Sequence, residues 1–246
     1  MEKILKYSVL RYTPDRLSGE TINLGILICD EIAHKNVFRY TGNYSRILKF
    51  DDELDRKTLK LLLSGIEEDV KAKNELIIQD YIKFYISNFR FDDPIMVDYE
   101  DFDMMTDELY KLYFRFDIPK SKRPDKASDQ EMISRILRIK GKDFEKNKKI
   151  KGMYNEPISY DIVTDDLYIK LFDFDNKDIS RLIGPAKMWA WNCNHEKDKK
   201  VYIIYRDSSG NANPESFKII KNIFDDSKGC FCSLDEGLRL LQNEAG

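Results

Sequence analysis

The sequence predicts an α+β protein built in two parts: an antiparallel β-meander with helices, then a mixed α/β domain. Three observations carry this. Residues 4–13 (ILKYSVLRYT) and 20–29 (ETINLGILIC) are rich in β-branched and aromatic side chains and flank a Pro- and Gly-containing turn. Residues 118–129 (IPKSKRPDKASD) have two prolines, several lysines and few apolar side chains, the composition of a linker. Beyond them, helix-like and strand-like segments follow one another to the C-terminus. The expected limits are 1–118 for the first domain, 119–128 for the linker and 129–246 for the second domain.

Hydrophobic residues make up 42% of the 246 and charged residues 35%, which suits a globular chain rather than a disordered one. The net charge of −3 argues against a uniformly basic nucleic-acid binder. No stretch approaches the ~20 apolar residues that span a bilayer. The opening MEKILKYSVLRY is too charged to be expected to act as a secretion signal. Four cysteines in a chain of this length do not form a disulfide framework, so a reducing cytoplasm is the expected location. Abundant Lys, Asn, Ile and Asp suit an AT-rich bacterial or phage genome.

In the first part, NVFRYT at 36–41 completes a three-stranded meander. Residues 52–72 read as a helix capped by Asp52, with Leu59, Leu62, Leu63, Ile66 and Val70 on one face. Tyr81, Phe84, Tyr85 and Phe89 give 75–90 a helical spacing. A short strand is expected at 95–99 and a helix at 103–114. In the second part helices are expected at 129–140, 178–193 and 214–225, with a tail helix from Ser233. Strands are expected at 149–154, 158–164, 167–174 and 201–206. Trp189 and Trp191 lie two apart on a helix, so one points to the core and the other outward.

Tyr7-Ser8-Val9-Leu10-Arg11-Tyr12-Thr13-Pro14-Asp15, with Gly19-Glu20, Asn23 and Gly25 after it, resembles the opening of a bacterial domain-of-unknown-function family, the 3037 type. The resemblance covers about the first thirty residues of the sequence. It implies a bacterial or phage origin. Because such genes can neighbour HipA-like kinase genes, it also implies a conflict or toxin setting, but it implies no chemistry. Strand alternation places Glu20, Ile22 and Leu24 on one face and Thr21, Asn23 and Gly25 on the other. Arg11 is expected to pair with Glu20, beside Asn23, either as a structural clasp or as a binding site.

The order helix, three strands, helix, strand, helix over 129–226 resembles the restriction-endonuclease-like fold. In that family an Asp on one core strand and an (Asp/Glu)-x-Lys on the next bind a divalent ion that activates water. With Asp165 and Asp166 as a two-residue turn, Asp161 faces Lys170 and shares its face with Tyr168. The motif position thus reads Tyr168-Ile169-Lys170, with a tyrosine where the family has an acid. A hard cation held by one oxygen ligand binds weakly. The resemblance therefore implies a degenerate nuclease shape without cutting chemistry, Asp161 and Lys170 forming a cross-strand ion pair. The alternative is a Mg- or Mn-dependent nuclease, with Asp161 and Lys170 joined by Glu145 or Glu156 from outside the hairpin.

Two charge islands stand out. Residues 91–110 hold eight acids and no Lys or Arg, among them Asp98, Glu100, Asp101 and Asp103, with Tyr99, Phe102, Met104 and Met105 interleaved. Residues 135–151 hold eight basic residues and two acids, among them Lys146, Lys148, Lys149 and Lys151. The acidic island suits a protein interface or a surface imitating nucleic acid. The basic one suits phosphates. Two solvated faces, touching each other across the linker, are the plainer reading. Cys193, His195, Cys230 and Cys232 would supply four zinc ligands, but the spacings Cys-x-His and Cys-x-Cys are shorter than those of common zinc knuckles. No catalytic triad surrounds His34 or His195, and no P-loop or dinucleotide fingerprint is present.

The expected function is a non-catalytic, cytoplasmic binding protein of phage–host conflict. It would need no cofactor and would engage a protein partner, or a nucleic-acid–protein complex, through its charged surfaces. The metal nuclease and an accessory subunit of a HipA-like kinase toxin are the alternatives.

Overall fold

This computed structural model describes residues 3–243 except 16, 18, 86, 120–121, 175–178 and 207–213. The chain divides into two compact units, Met1–Pro124 and Asp125–Gly246, with the boundary inside the predicted linker. No described helix is long and apolar enough to cross a membrane.

The first unit is an antiparallel sheet. Strands β1 (Lys3–Tyr12), β2 (Ile22–Asp30) and β3 (Lys35–Tyr40) form the predicted meander, in the order β3-β2-β1. Strand β1 is long enough to pair with two short strands on its other side. Residues Lys3–Tyr7 pair with β5 (Ile95–Tyr99), and Leu10–Tyr12 pair with β4 (Phe89–Phe91). The β1–β2 register shifts between Leu10 and Arg11, where a bulge lies. A bulge reverses the alternation of a strand. That is why Ile22 and Leu24, then Leu27 and Cys29, all reach the same core.

Helix α1 (Tyr44–Phe50) was not predicted, and Asn43 caps it by accepting from Arg46 N–H. Helix α2 (Arg56–Ala72) starts later than the sequence suggests: Asp55, not Asp52, is its cap, accepting from Thr58 N–H at 2.7 Å. Its residues Leu59, Leu63, Ile66 and Val70 are buried against the sheet, as the spacing predicts. The segment 75–90 departs most from expectation. Among its described residues only Ile78–Ile82 is helical (α3), and Phe89 belongs to β4. The aromatic spacing there reflects a packed cluster: Tyr85 meets Phe91 edge-on at 5.0 Å. Helix α4 (Phe102–Tyr113) follows β5, capped by Asp101.

The second unit opens with helix α5 (Lys126–Ile139), whose cap Asp125 accepts from Ser128 N–H. It begins earlier than predicted. Strands β6 (Phe144–Lys146), β9 (Ile162–Thr164) and β10 (Leu167–Phe172) then pair antiparallel, in the order β6-β9-β10. The predicted strand 149–154 is not part of this sheet. It contributes β7 (Lys149–Lys151), which pairs with β8 (Pro157–Ser159) as a separate two-stranded ribbon. Helix α6 (Ile179–His195) leads to β11 (Lys200–Tyr205), parallel to β10. Helix α7 (Pro214–Asp225) leads to β12 (Cys230–Ser233), parallel to β11, and α8 (Leu234–Asn243) closes the unit.

Leu182, Ala186, Trp189 and Cys193 of α6 and Ile220 and Phe224 of α7 pack on Tyr168, Phe172, Val201 and Ile203 of the sheet. Helix α8 lies on the opposite face, where Gly237 meets Ile204. Trp189 is buried and Trp191 half-buried, as their spacing predicts.

Candidate functional site

The predicted register of the β9–β10 hairpin holds. Val163 pairs with Tyr168 and Ile162 with Ile169; Asp161 lies one residue beyond this ladder, and its carboxylate meets Lys170 through the side chains. The turn is fixed by Thr164, whose hydroxyl oxygen accepts from Leu167 N–H at 2.9 Å. Asp161 ends the pairing: its own N–H donates to Ile169 C=O at 2.9 Å, while its carboxylate Oδ2 accepts from Leu171 N–H at 2.8 Å. The side chain thus stands in for the strand carbonyl that would otherwise satisfy β10.

Two ammonium groups complete the shell. Lys126 Nζ, from the first turn of α5, lies 2.6 Å from Asp161 Oδ1, and Lys170 Nζ lies 3.4 Å from Oδ2. Lys170 also donates to Ser159 C=O at 3.0 Å and sits 4.9 Å above the Trp189 ring. Burial lowers the Lys170 pKa; the Asp161 charge opposes that shift and the Lys126 charge adds to it. Beside this cluster, Arg206 pairs with the buried Asp129 of α5 at 2.5 Å.

Tyr168 is buried and stacked on Tyr160, ring centroids 4.5 Å apart. Burial raises its pKa, aided by the charges of Glu196 and Asp198. It is a packing residue at the position where an acid would bring a second ligand. The two displaced acids are engaged elsewhere. Glu145, exposed on β6, pairs with Lys148 at 2.5 Å. Glu156 accepts from Tyr154 N–H at 2.7 Å in the β7–β8 turn. Among the described residues no group of three or more His, Cys, Asp and Glu side chains is arranged to hold a metal ion.

The zinc set is likewise dispersed in role. Cys193 and Cys232 are buried and Cys230 half-buried, all as free thiols. Burial pushes the Cys193 thiol up to about 12, and the bond to Cys230, then burial, raises Cys232. His195 is exposed and its Nδ1 is 2.8 Å from Trp191 C=O.

The charge islands separate into surface and scaffold. In the acidic stretch Glu100, Asp101 and Asp103 are exposed and Asp98 half-buried. Phe102, expected on the surface, is buried with Tyr99 and Met105, leaving Met104 as the exposed apolar side chain of the four. Asp101 caps α4 by accepting from Met104 N–H at 2.8 Å. In the basic stretch Lys146 pairs with Glu131 at 2.7 Å, Lys148 with Glu145, and Lys142 with Asp166 at 2.7 Å. Lys149 and Lys151 are exposed, and neither has an ion pair among the described residues.

In the first unit the motif residues are structural ties. Arg11 Nε donates to Asp92 Oδ2 at 2.6 Å, and Ser8 Oγ donates to the Asp92 carbonyl at 2.5 Å. Tyr12 O–H donates to Asp51, Tyr7 and Tyr113 hydroxyls meet at 3.1 Å, and Asn23 Nδ2 donates to Tyr113 C=O. Glu20 is exposed. Gly25 leaves room for the Phe38 ring: a Cβ there would lie 2.6 Å from Phe38 Cε2.

Residues 7–86 match the family described as Protein of unknown function (DUF3037). That segment runs from within β1 to α3, yet its motif residues are tied to Asp92 and Tyr113, beyond its end. The folding unit is therefore longer than the matched segment. No curated protein and no solved structure matches the chain.

Proposed function

We propose that the second unit is a degenerate restriction-endonuclease-like domain and that the chain is a non-catalytic binding protein. The first part is supported by the order α5-β6-β9-β10-α6-β11, with β10 and β11 parallel and the preceding strands antiparallel. The second rests on one observation. Both oxygens of Asp161 are engaged, Oδ1 by Lys126 and Oδ2 by Leu171 N–H and Lys170. A divalent cation there would have to displace a lysine, break a strand hydrogen bond and find its further oxygen ligands elsewhere. Phage–host conflict is the setting we favour, on the strength of the N-terminal resemblance. In that setting the chain acts by occupying a partner rather than cutting it.

The test is incubation of purified chain with plasmid, single-stranded DNA and RNA in magnesium or manganese. The expected result is no cleavage attributable to the chain. Cleavage that disappears in Asp161→Ala would establish the metal-nuclease alternative.

A further inference from the structure

Helix α6 contains Arg181, Lys187 and His195 but no Asp or Glu. Its buried face takes Leu182, Ala186, Trp189 and Cys193 to the core. Lys187, Met188 and His195 are left exposed and Trp191 half-buried, along a stripe of helical spacing. Beside Trp191 stands the turn of the β7–β8 ribbon. That turn is tightly built. Gly152 N–H donates to Glu156 C=O at 2.8 Å, Asn155 N–H donates to Gly152 C=O at 3.0 Å, and Asn155 has φ 62°. Asparagine tolerates that left-handed conformation. Glu156 accepts from Tyr154 N–H at 2.7 Å, which fixes the backbone of the turn that carries the exposed Tyr154 ring.

The result is a stack of three rings. Tyr154 lies on Trp191 at 5.7 Å and 17° between planes, and Trp191 lies on His195 at 4.0 Å and 25°. Tyr154 is 73% exposed, and Met153 and Met188 beside it in chain and helix are also exposed. A side chain this apolar is usually turned inward, so a held-out aromatic flanked by methionines marks a contact surface. On the same ribbon Lys149 and Lys151, on the face of β7 opposite the core-packed Ile150, are exposed, as is Lys187 of α6, and none of the three forms an ion pair among the described residues, unlike Lys146 and Lys148.

We infer that this face of the second unit binds single-stranded DNA, bases continuing the Tyr154–Trp191–His195 stack and phosphates meeting Lys149, Lys151 and Lys187. The inference rests on the reading of the chain as a binding protein and names its partner. Open ring faces beside uncommitted cations are how single strands are held without sequence preference. Duplex DNA keeps its bases stacked internally and offers none to the rings. The methionines suit deoxyribose, since a ribose 2′-hydroxyl calls for a polar partner. An acidic protein would satisfy the lysines but leaves the ring stack unexplained.

The experiment is fluorescence anisotropy of labelled dT oligonucleotides with the full chain, at two salt concentrations and without divalent metal. Tryptophan emission is followed in parallel, because a base added to the stack at Tyr154 or His195 changes the surroundings of Trp191. We expect binding that weakens with salt, a change in tryptophan emission on saturation, and about tenfold weaker binding in Tyr154→Ala and in Trp191→Ala. Lys149→Glu with Lys151→Glu lowers the salt slope by about 1.4, at about 0.7 for each phosphate no longer neutralised. Circular dichroism confirms that each variant is folded, and Tyr154, on the turn, carries the test if Trp191→Ala is not. Absence of binding at low salt, equal binding by Tyr154→Ala, or preference for duplex DNA or for oligo-U would overturn the inference. Those failures leave the binding-protein reading standing, whereas Asp161-dependent cleavage in the nuclease assay removes that reading and leaves strand binding measurable here.

Discussion

Lys126 Nζ is held 2.6 Å from Asp161 Oδ1, with the aspartate side chain 6% exposed and the lysine 50% exposed. The half-exposed lysine covers a carboxylate whose other oxygen terminates a β-ladder. Asp161 is thus committed to structure on both sides, which makes its removal a stability question. Asp161→Ala leaves Lys170 without its partner in a largely buried site and Leu171 N–H unsatisfied. Losing one partner of a fully buried pair costs about 3–5 kcal/mol; solvent screening at Lys126 brings the expectation to about 2–3 kcal/mol. Urea unfolding should show the midpoint falling with an unchanged m-value. A variant as stable as the parent, or more so, is what a strained catalytic carboxylate would give, and would count against the structural role.

Gly25 has an equally local explanation. Its Cα hydrogen faces the Phe38 ring, and a methyl group there would sit 2.6 Å from Phe38 Cε2 and 3.2 Å from the Arg39 carbonyl oxygen. Gly25→Ala should destabilise the first unit by about 1–3 kcal/mol through overpacking. Phe38→Leu in the same chain should recover part of that loss, seen as negative coupling in a double-mutant cycle. Additive losses would show that the ring is not what the glycine accommodates.

The hairpin between Asp161 and Lys170 was legible because register there depends on four neighbouring residues, Thr164 to Leu167, and on a period of two. Lys126 was not legible: it meets Asp161 across the sequence from 126 to 161, and no local pattern encodes that pairing. Strand β6 (Phe-Glu-Lys) and strand β12 (Cys-Phe-Cys-Ser) were missed because each is short. Strand β6 is also polar and lies at a sheet edge, while the spacing of the two thiols in β12 suggests metal ligands. The aromatic run at 81–89 misled because Tyr81, Tyr85 and Phe89, gathered by tertiary packing, happened to fall at helical intervals, while Phe84 stays exposed. Helical spacing turns one of the two tryptophans outward, but Tyr154, which completes the stack on Trp191, sits on another element. In the acidic island composition placed Glu100, Asp101 and Asp103 outside, yet it could not show that Asp98 is half-buried or that Phe102 turns inward to meet Tyr99 at 5.9 Å.

That island divides into a cap and a surface. Asp101 holds the first turn of α4, so Asp101→Ala should cost about 1 kcal/mol of stability whatever the surface does. Glu100 and Asp103 are exposed and outside the cap bond. Reversal of both, Glu100→Lys with Asp103→Lys, should change thermal stability little while abolishing capture of any partner that docks on this charge. A partner that survives the double reversal and is lost only with Asp101→Ala would be sensing the folding of α4, not the acidic face.

Asp30 makes the stability of the first unit depend on acid pH. It is buried at the end of β2, where its Oδ1 accepts from Ile32 N–H at 2.9 Å and Ala33 N–H at 2.8 Å and its Oδ2 accepts from Tyr99 O–H. Burial works to raise its pKa, but the Tyr99 hydroxyl, the two N–H groups and the Lys35 charge outweigh that and hold it below the ordinary carboxylate value. A carboxylate whose folded pKa is depressed stabilises the fold above its unfolded pKa of about 3.9, and that contribution is lost as pH falls through the lower folded value. The wild-type advantage over Asp30→Asn should therefore be constant near neutrality and shrink below about pH 4. Measuring both chains by urea unfolding across that window isolates Asp30 from the other carboxylates that titrate with it. A difference that stays flat, or grows on acidification, would mean that Asp30 is not held ionised by these bonds.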